Sequence, residues 1–296
     1  MVIVIDALDE CDNKDSTRQI LDVLLSNVSN LPVKFLVSSR PESEIRDQMM
    51  SPAKQIDSRI VLHELDKGQV QLDIATYLET ALVPMNPRPS KMEIAELVRR
   101  AGVLFIYAAT AVQYIGYDNF HQNAPARLQT VLSASSSGKT NKNKEINELY
   151  TTILRAALDD PGLDKTEQED MKTVLHMVIC AQEPLTTRAI SGLLRMGDNY
   201  RVDVALRPLW SVLHIVGTSD VVTTLHASFP DYMFDLTRSK EYYCDPTIHN
   251  SAIALLCFDL IKHTQLQFNI CGLESSYVMD EDVLNLEQRI NDAWVA

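Results

Sequence analysis

At 296 residues, 46% hydrophobic and 23% charged, the chain has an ordinary globular composition and room for two or three compact units. Its 40 acidic against 27 basic residues leave a net charge of −13. That balance argues against nucleic acid as a partner, because a phosphate backbone is gripped by a basic excess or stripe.

Residues 1–66 alternate strand and helix. VIVI (2–5) is a β-branched run of the kind found inside a parallel sheet, buried on both faces. Such a strand needs neighbours on both sides, so the chain is expected to begin inside a domain. A helix is predicted over 16–27, where apolar residues recur near a 3.6 period. Strands follow over 33–38 (VKFLVS) and 59–65 (RIVLHEL). Strands alternating with helices predict an α/β parallel sheet.

From 67 the pattern turns helical. Helices are expected over 69–82, 91–101 with Ser90 as N-cap, 103–115 after Gly102, and 124–132. SASSSGKTNKNK (133–144) is polar and small, and reads as a flexible linker. Helices over 145–158 and 167–179 follow, then one over 188–194 capped by Thr186 or Thr187, and one over 202–212. Two short β segments, 213–216 and 221–225, complete a pattern that predicts a winged-helix-like module across 145–240. Helix returns over 230–236 and 248–263. The units expected are therefore 1–66, 67–132, a linker at 133–144, 145–240, and a helical segment at 241–296.

Cys11, Cys180, Cys244, Cys257 and Cys271 are odd in number, scattered and without a CxxC pair. That fits free thiols in a reducing cytoplasm better than a disulfide framework or a zinc site. MVIVID is no signal peptide, since Asp6 interrupts the run and no basic stretch precedes it. No apolar run reaches the ~18–20 residues of a membrane helix. His176, Cys180 and His214 sit in apolar surroundings, and core packing is the expectation for them.

The segment richest in chemistry is VIVIDALDECD (2–12), a hydrophobic strand that delivers Asp6 at its C-terminal end. An Asp so placed can hold Mg²⁺ against the β- and γ-phosphates of a nucleotide, a hard cation that needs few protein oxygens. Asp9 and Glu10 lie just past the strand, where either could orient or deprotonate an attacking water. KFLVSSR (34–40) ends a second strand in Arg40, a forked donor suited to a γ-phosphate.

These residues resemble the NACHT branch of the STAND-class signalling P-loop NTPases, the fungal NOD-like receptor group in particular. VIVIDALDECD is similar to its Walker B segment, and KFLVSSRPE to its sensor 1 strand. AGVLFI (101–106) falls where that group has a glycine-bearing helix junction, with Phe105 in place of the usual proline. LHASFPDY (225–232) resembles the family's winged-helix motif, and NICGLESSY (269–277) a segment that follows it. The resemblance makes 1–66 the C-terminal part of a NACHT NTPase domain, and the parent a nucleotide-gated switch of innate-immunity or self/non-self type. It implies Mg²⁺ at Asp6, ATP/ADP or GTP as nucleotide, water positioning by Asp9 or Glu10, γ-phosphate sensing by Arg40, and His226 on the β-phosphate of ADP in a closed state. It also implies self-association through the NTPase domain, and protein partners through further N- and C-terminal regions.

A Walker A loop, G-x-x-x-x-G-K-[ST], is absent from the sequence. Gly138-Lys139-Thr140 lacks the first glycine, because Ser133 stands at that place, and it follows Walker B instead of preceding it. The expectation is therefore a downstream fragment that does not bind nucleotide tightly or hydrolyse it alone. Two alternatives stand beside it: a nucleotide-independent interaction scaffold, and a phosphohydrolase using Asp6, Asp9, Glu10 and Asp12 to clamp metal ions.

Overall fold

Stiff β-branched side chains suit an extended backbone, and Val2–Ile5 forms β1. Asn13 opens the next helix, its Oδ1 accepting the backbone N–H of Asp15 at 2.9 Å and of Ser16 at 3.1 Å. That helix, α1 (Lys14–Asn27), leads to β2 (Lys34–Val37), which lies parallel to β1 with Val2 opposite Lys34 and Ile5 opposite Val37. α2 (Ser43–Met49) follows. Leu8, Leu21 and Ile45 are buried together, with Ile5, Val37 and Met49 against them.

This unit, Met1–Leu65, is distinct from a second, Asp66–Ala296. The computed structural model describes residues 1–11, 13–27, 32–40, 42–49, 66–121, 123–134, 144–216, 220–263, 269, 272–275 and 277–295. The strand expected over 59–65 lies outside the described residues, as does most of the expected linker.

β1 departs from expectation. β1 is not buried on both faces: Val2 and Val4 are 62% and 64% exposed, and Leu36 on β2 is 60% exposed. Side chains alternate along a strand, so the face that turns Ile5 and Val37 toward Leu21 and Ile45 turns Val2, Val4 and Leu36 the other way. Among the described residues the parallel sheet has two strands.

The second unit is mostly helical. α3 (Lys67–Ala81) is capped by Asp66, which accepts the Gly68 N–H at 2.9 Å. α4 (Lys91–Ala101) begins in a reciprocal capping box between Ser90 and Glu93, and ends at Gly102 with φ 59°. α5 (Phe105–Ile115) starts two residues later than its apolar run, because Leu104 is extended at the N-cap. α6 (Ala124–Ser133), α7 (Lys144–Leu158) and α8 (Lys165–Cys180) follow, α8 again opened by a capping box, Asp164 with Glu167. α7 turns Ile146, Leu149, Tyr150, Ile153, Leu154 and Ala157 inward at helical spacing.

Beyond α8 come β3 (Leu185–Thr186), α9 (Thr187–Leu193), α10 (Asn199–Leu206), β4 (Leu213–Val216) and β5 (Val221–Thr224). β5 is central and antiparallel to both neighbours, pairing Val222 with Leu185 and with Ile215. The helix expected over 202–212 stops at Leu206. Pro208 has no N–H, and its ring opposes the carbonyl four residues back, so Arg207–Leu209 tightens into a 3₁₀ turn. α11 (Ser228–Met233), α12 (Leu236–Ser239), α13 (Pro246–His263) and α14 (Leu286–Val295) complete the chain. A continuous hydrophobic core runs from Ile74 on α3 to Cys244. Among the described residues no helix is long and apolar enough to cross a membrane.

Candidate functional site

Parallel sheets present ligands beyond the carboxyl ends of their strands, and Asp6 and Asp9 lie there. The register that sets Ile5 beside Val37 places Asp6 next to Ser38. Ser38 Oγ donates a short hydrogen bond to Asp6 Oδ1 and accepts the Ala7 N–H at 3.0 Å. The Ser38 carbonyl accepts the Leu8 N–H at 3.0 Å. Ala7 stands in the left-handed region, φ 51° and ψ 49°, so the chain turns sharply just after Asp6. A small side chain suits that turn, because left-handed backbone crowds a Cβ.

The turn brings Asp9 under the end of β2. Its Oδ1 accepts the Arg40 backbone N–H at 2.9 Å and the Ser39 hydroxyl at 3.1 Å, and its Oδ2 lies 3.5 Å from Arg40 Nε. The Asp9 side chain is 8% exposed. Burial alone would raise its carboxyl, but the Arg40 N–H, its own backbone N–H, the Ser39 hydroxyl and the Arg40 charge outweigh that and hold it below the ordinary carboxylate value. Glu10 closes the 3₁₀ turn Leu8–Glu10, and its side chain lies outside the described set. Asp6 is exposed. With the Ser38 hydroxyl beside it, the donors at this point are hard oxygens, a set that fits Mg²⁺.

The structure thus brings Asp6, Asp9 and Arg40 into one corner. Ser38 and Ser39 join them there. The signal that could have found both serines is positional, since they continue β2 in register past Val37, where they meet the residues that continue β1.

His226 lies in the second unit. Its Nδ1 accepts the Ser228 backbone N–H at 3.1 Å and lies 2.8 Å from Ser228 Oγ. A backbone N–H only donates, so in the neutral ring the proton sits on Nε2. Ser228 Oγ is also 2.8 Å from Tyr150 OH on α7. Tyr150 packs edge-on against Phe229 with ring centres 5.1 Å apart, and Tyr232 OH lies 2.8 Å from Thr151 Oγ1. Arg238 donates through Nη2 to Asn147 Oδ1 at 2.9 Å. The LHASFPDY segment is therefore clamped to α7 by its aromatic residues and Ser228, with His226 exposed at its start.

Comparison with known proteins bears on the first unit. Residues 1–40 match the model of the Nephrocystin 3, N-terminal family. The matched stretch spans β1, α1 and β2 and contains Asp6, Asp9, Glu10 and Arg40. None of the curated proteins and none of the solved structures compared with the chain matches it.

Proposed function

We propose that the chain carries the metal-holding and sensor elements of a nucleotide-gated switch of the NACHT type. The observation that carries this reading is the corner where Asp6, the first residue beyond β1, accepts from Ser38 while Asp9 holds Arg40 at the end of β2. The match of residues 1–40 to the Nephrocystin 3, N-terminal family supports the same stretch as a unit. In this reading Asp6, with Ser38 beside it, would hold Mg²⁺, whose charge offsets that of the nucleotide phosphates. Asp9 fixes Arg40 so that its guanidinium can reach a γ-phosphate, and Glu10 orients water. ATP/ADP and GTP are both compatible with these residues.

The order helix, strand, helix, helix, strand, strand from α8 to β5 supports a winged-helix module. His226, whose Nε2–H is set as a donor by Ser228, is the proposed contact for the β-phosphate of ADP. A switch requires ligands that contact its two states differently, and self-association is the proposed output. The sequence contains no G-x-x-x-x-G-K-[ST], so the phosphate cradle is proposed to come from another segment.

The test compares this chain with one in which a phosphate-binding loop and its strand precede Met1. The chain by itself should show no thermal shift with ADP·Mg, ATP·Mg or GTP·Mg. The extended chain should bind ADP, and His226→Ala and Arg40→Ala should each weaken ADP or ATP by about tenfold, the ~1.4 kcal/mol of a charge-assisted hydrogen bond. Affinities unchanged by both substitutions would sink the reading. They would favour a nucleotide-independent scaffold, to which the use of Asp9 as a strand-to-strand clamp also lends itself.

A further inference from the structure

Four side chains, of which His176 and Cys180 were expected to pack in the core, converge where α8 meets the start of α13. His176 and Cys180 are one turn apart on α8 and so share a side of that helix. Cys244 is held just ahead of α13 by its backbone N–H, which donates to the Met233 carbonyl at 2.9 Å. His249 lies in the first turn of α13. A ring nitrogen of His176, Cys244 Sγ and a ring nitrogen of His249 all lie within 4.8 Å of one another, and the two rings are centred 4.2 Å apart. Cys180 Sγ is 3.5 Å from Cys244 Sγ.

Both cysteines are buried and both are free thiols. Two thiolates on one tetrahedral zinc, each at ~2.3 Å, stand ~3.8 Å apart. The observed sulfur separation is close to that. Cys180 Sγ stands outside the group in which Cys244 Sγ and both imidazoles lie within 4.8 Å of one another, so the Cys180 side chain must turn inward to complete a shell around an ion. The donor set is two imidazoles and two sulfurs with no carboxylate, which favours a borderline or soft cation over Mg²⁺ or Ca²⁺.

We propose that His176, Cys180, Cys244 and His249 bind one Zn²⁺ ion. The motif is His-x₃-Cys on one helix and Cys-x₄-His entering another, which is why a search for CxxC pairs passes over it. Four protein ligands leave no open position, the mark of a structural site. The ion would clip α13 to α8 and hold that helix on the module that carries His226. Binding releases the protons of both thiols to solvent, so affinity falls as pH falls.

The test uses the untagged full chain, purified under reducing conditions and loaded with Zn²⁺ or Co²⁺. Elemental analysis should find about one zinc per chain. X-ray absorption should show two sulfurs at ~2.3 Å and two nitrogens at ~2.0 Å. The Co²⁺ form should show thiolate charge-transfer and tetrahedral d–d bands. His249→Gln and Cys180→Ser should each weaken zinc at least ~100-fold, since residues merely supporting a ligand are already worth ~10–100-fold. Cys257→Ser should change nothing. If a cysteine variant does not fold, the native chain's absorption spectra and the half-buried His249→Gln decide. A chain that takes up no zinc, an ion bound by oxygen and nitrogen alone, or wild-type affinity in His249→Gln would each overturn the proposal. None of these readouts involves nucleotide, so the result is independent of the switch.

Discussion

Asp9 holds Arg40 at two points: one carboxylate oxygen takes the Arg40 backbone N–H at 2.9 Å, and the other lies 3.5 Å from its guanidinium Nε. The two residues come from the ends of different strands, so one carboxylate ties β1 to β2 where the ladder has run out. A buried carboxylate so engaged acts first as a positioning group for Arg40.

Asp9→Asn should therefore loosen the first unit. One amide oxygen can still accept, but a charge-assisted set becomes a neutral one, at a cost of about 1–3 kcal/mol. Native-state hydrogen exchange in peptides from residues 1–49 should show faster opening, while Asp6→Asn, at an exposed position, should stay within about 1 kcal/mol of the parent. The folded carboxyl sits below its ordinary value, so its contribution is present above the unfolded carboxylate range and is lost as pH falls through the folded value. Equal exchange rates in the two variants would contradict the clamp.

Ala7 offers a backbone test of the same corner. Its left-handed φ of 51° costs an L-residue roughly 1–2 kcal/mol. Ala7→Gly should relieve part of that, for a net gain of up to about 1 kcal/mol after the extra freedom of the unfolded glycine. Ala7→Val should lose about 1–3 kcal/mol. The same exchange measurement reads both, and a valine variant as stable as the parent would mean the turn is not held.

Arg100 caps the end of α6 from α4. It donates to the carbonyls of Val131 at 3.0 Å, Leu132 at 2.5 Å and Ala134 at 2.7 Å, and it is steadied by Glu96 at 2.8 Å. Arg100→Met should cost about 2–3 kcal/mol by leaving those carbonyls without their charged donor. The hydrogen bonds from Arg99, against some desolvation and with help from Arg100, hold the Glu96 carboxyl down to about 2. Its contribution is therefore fully present above pH ~4.5 and is lost as pH falls toward about 2. Urea titrations followed by tryptophan fluorescence at neutral pH and near pH 2.5 should show Glu96→Gln destabilising at the first and clearly less so at the second.

Tyr150 connects the His226 segment to the helix beneath it. Tyr150→Phe removes the 2.8 Å link to Ser228 and should cost about 1 kcal/mol. Tyr150→Ala should cost about 3–5 kcal/mol, since the buried ring also packs on Phe229 and Tyr232. In NMR the His226 ring should keep its Nε2–H tautomer in the phenylalanine variant, because the Ser228 N–H that sets it is unchanged. A shift to the Nδ1–H form there would show that the serine–tyrosine chain, not the backbone, controls the ring.

Local chemistry was legible from the sequence. Ser90 caps α4 as expected, with Glu93 completing the box, and of the two candidates Thr186 and Thr187 it is Thr186 that caps α9, because a cap is decided by residues three positions apart. The strands at 2–5 and 213–216, and all but the last residue of the segment expected over 221–225, were legible from short apolar and β-branched runs. Pro208 shows the limit of periodicity: the apolar pattern ran on to 212, and one missing N–H ended the helix at Leu206.

Pairings between distant segments were decided only by the tertiary structure. Nothing near Leu185 announces that it pairs with Val222, and nothing near Val4 tells that its face of the sheet is left exposed among the described residues. Cys180 and Cys244 read as isolated thiols until α13 folds across α8 and sets their sulfurs 3.5 Å apart, with His176 and His249 beside them. Periodicity and capping report energies that a few neighbouring residues settle among themselves. Convergence of side chains from separate helices depends on how whole helices pack, which no short window of sequence contains.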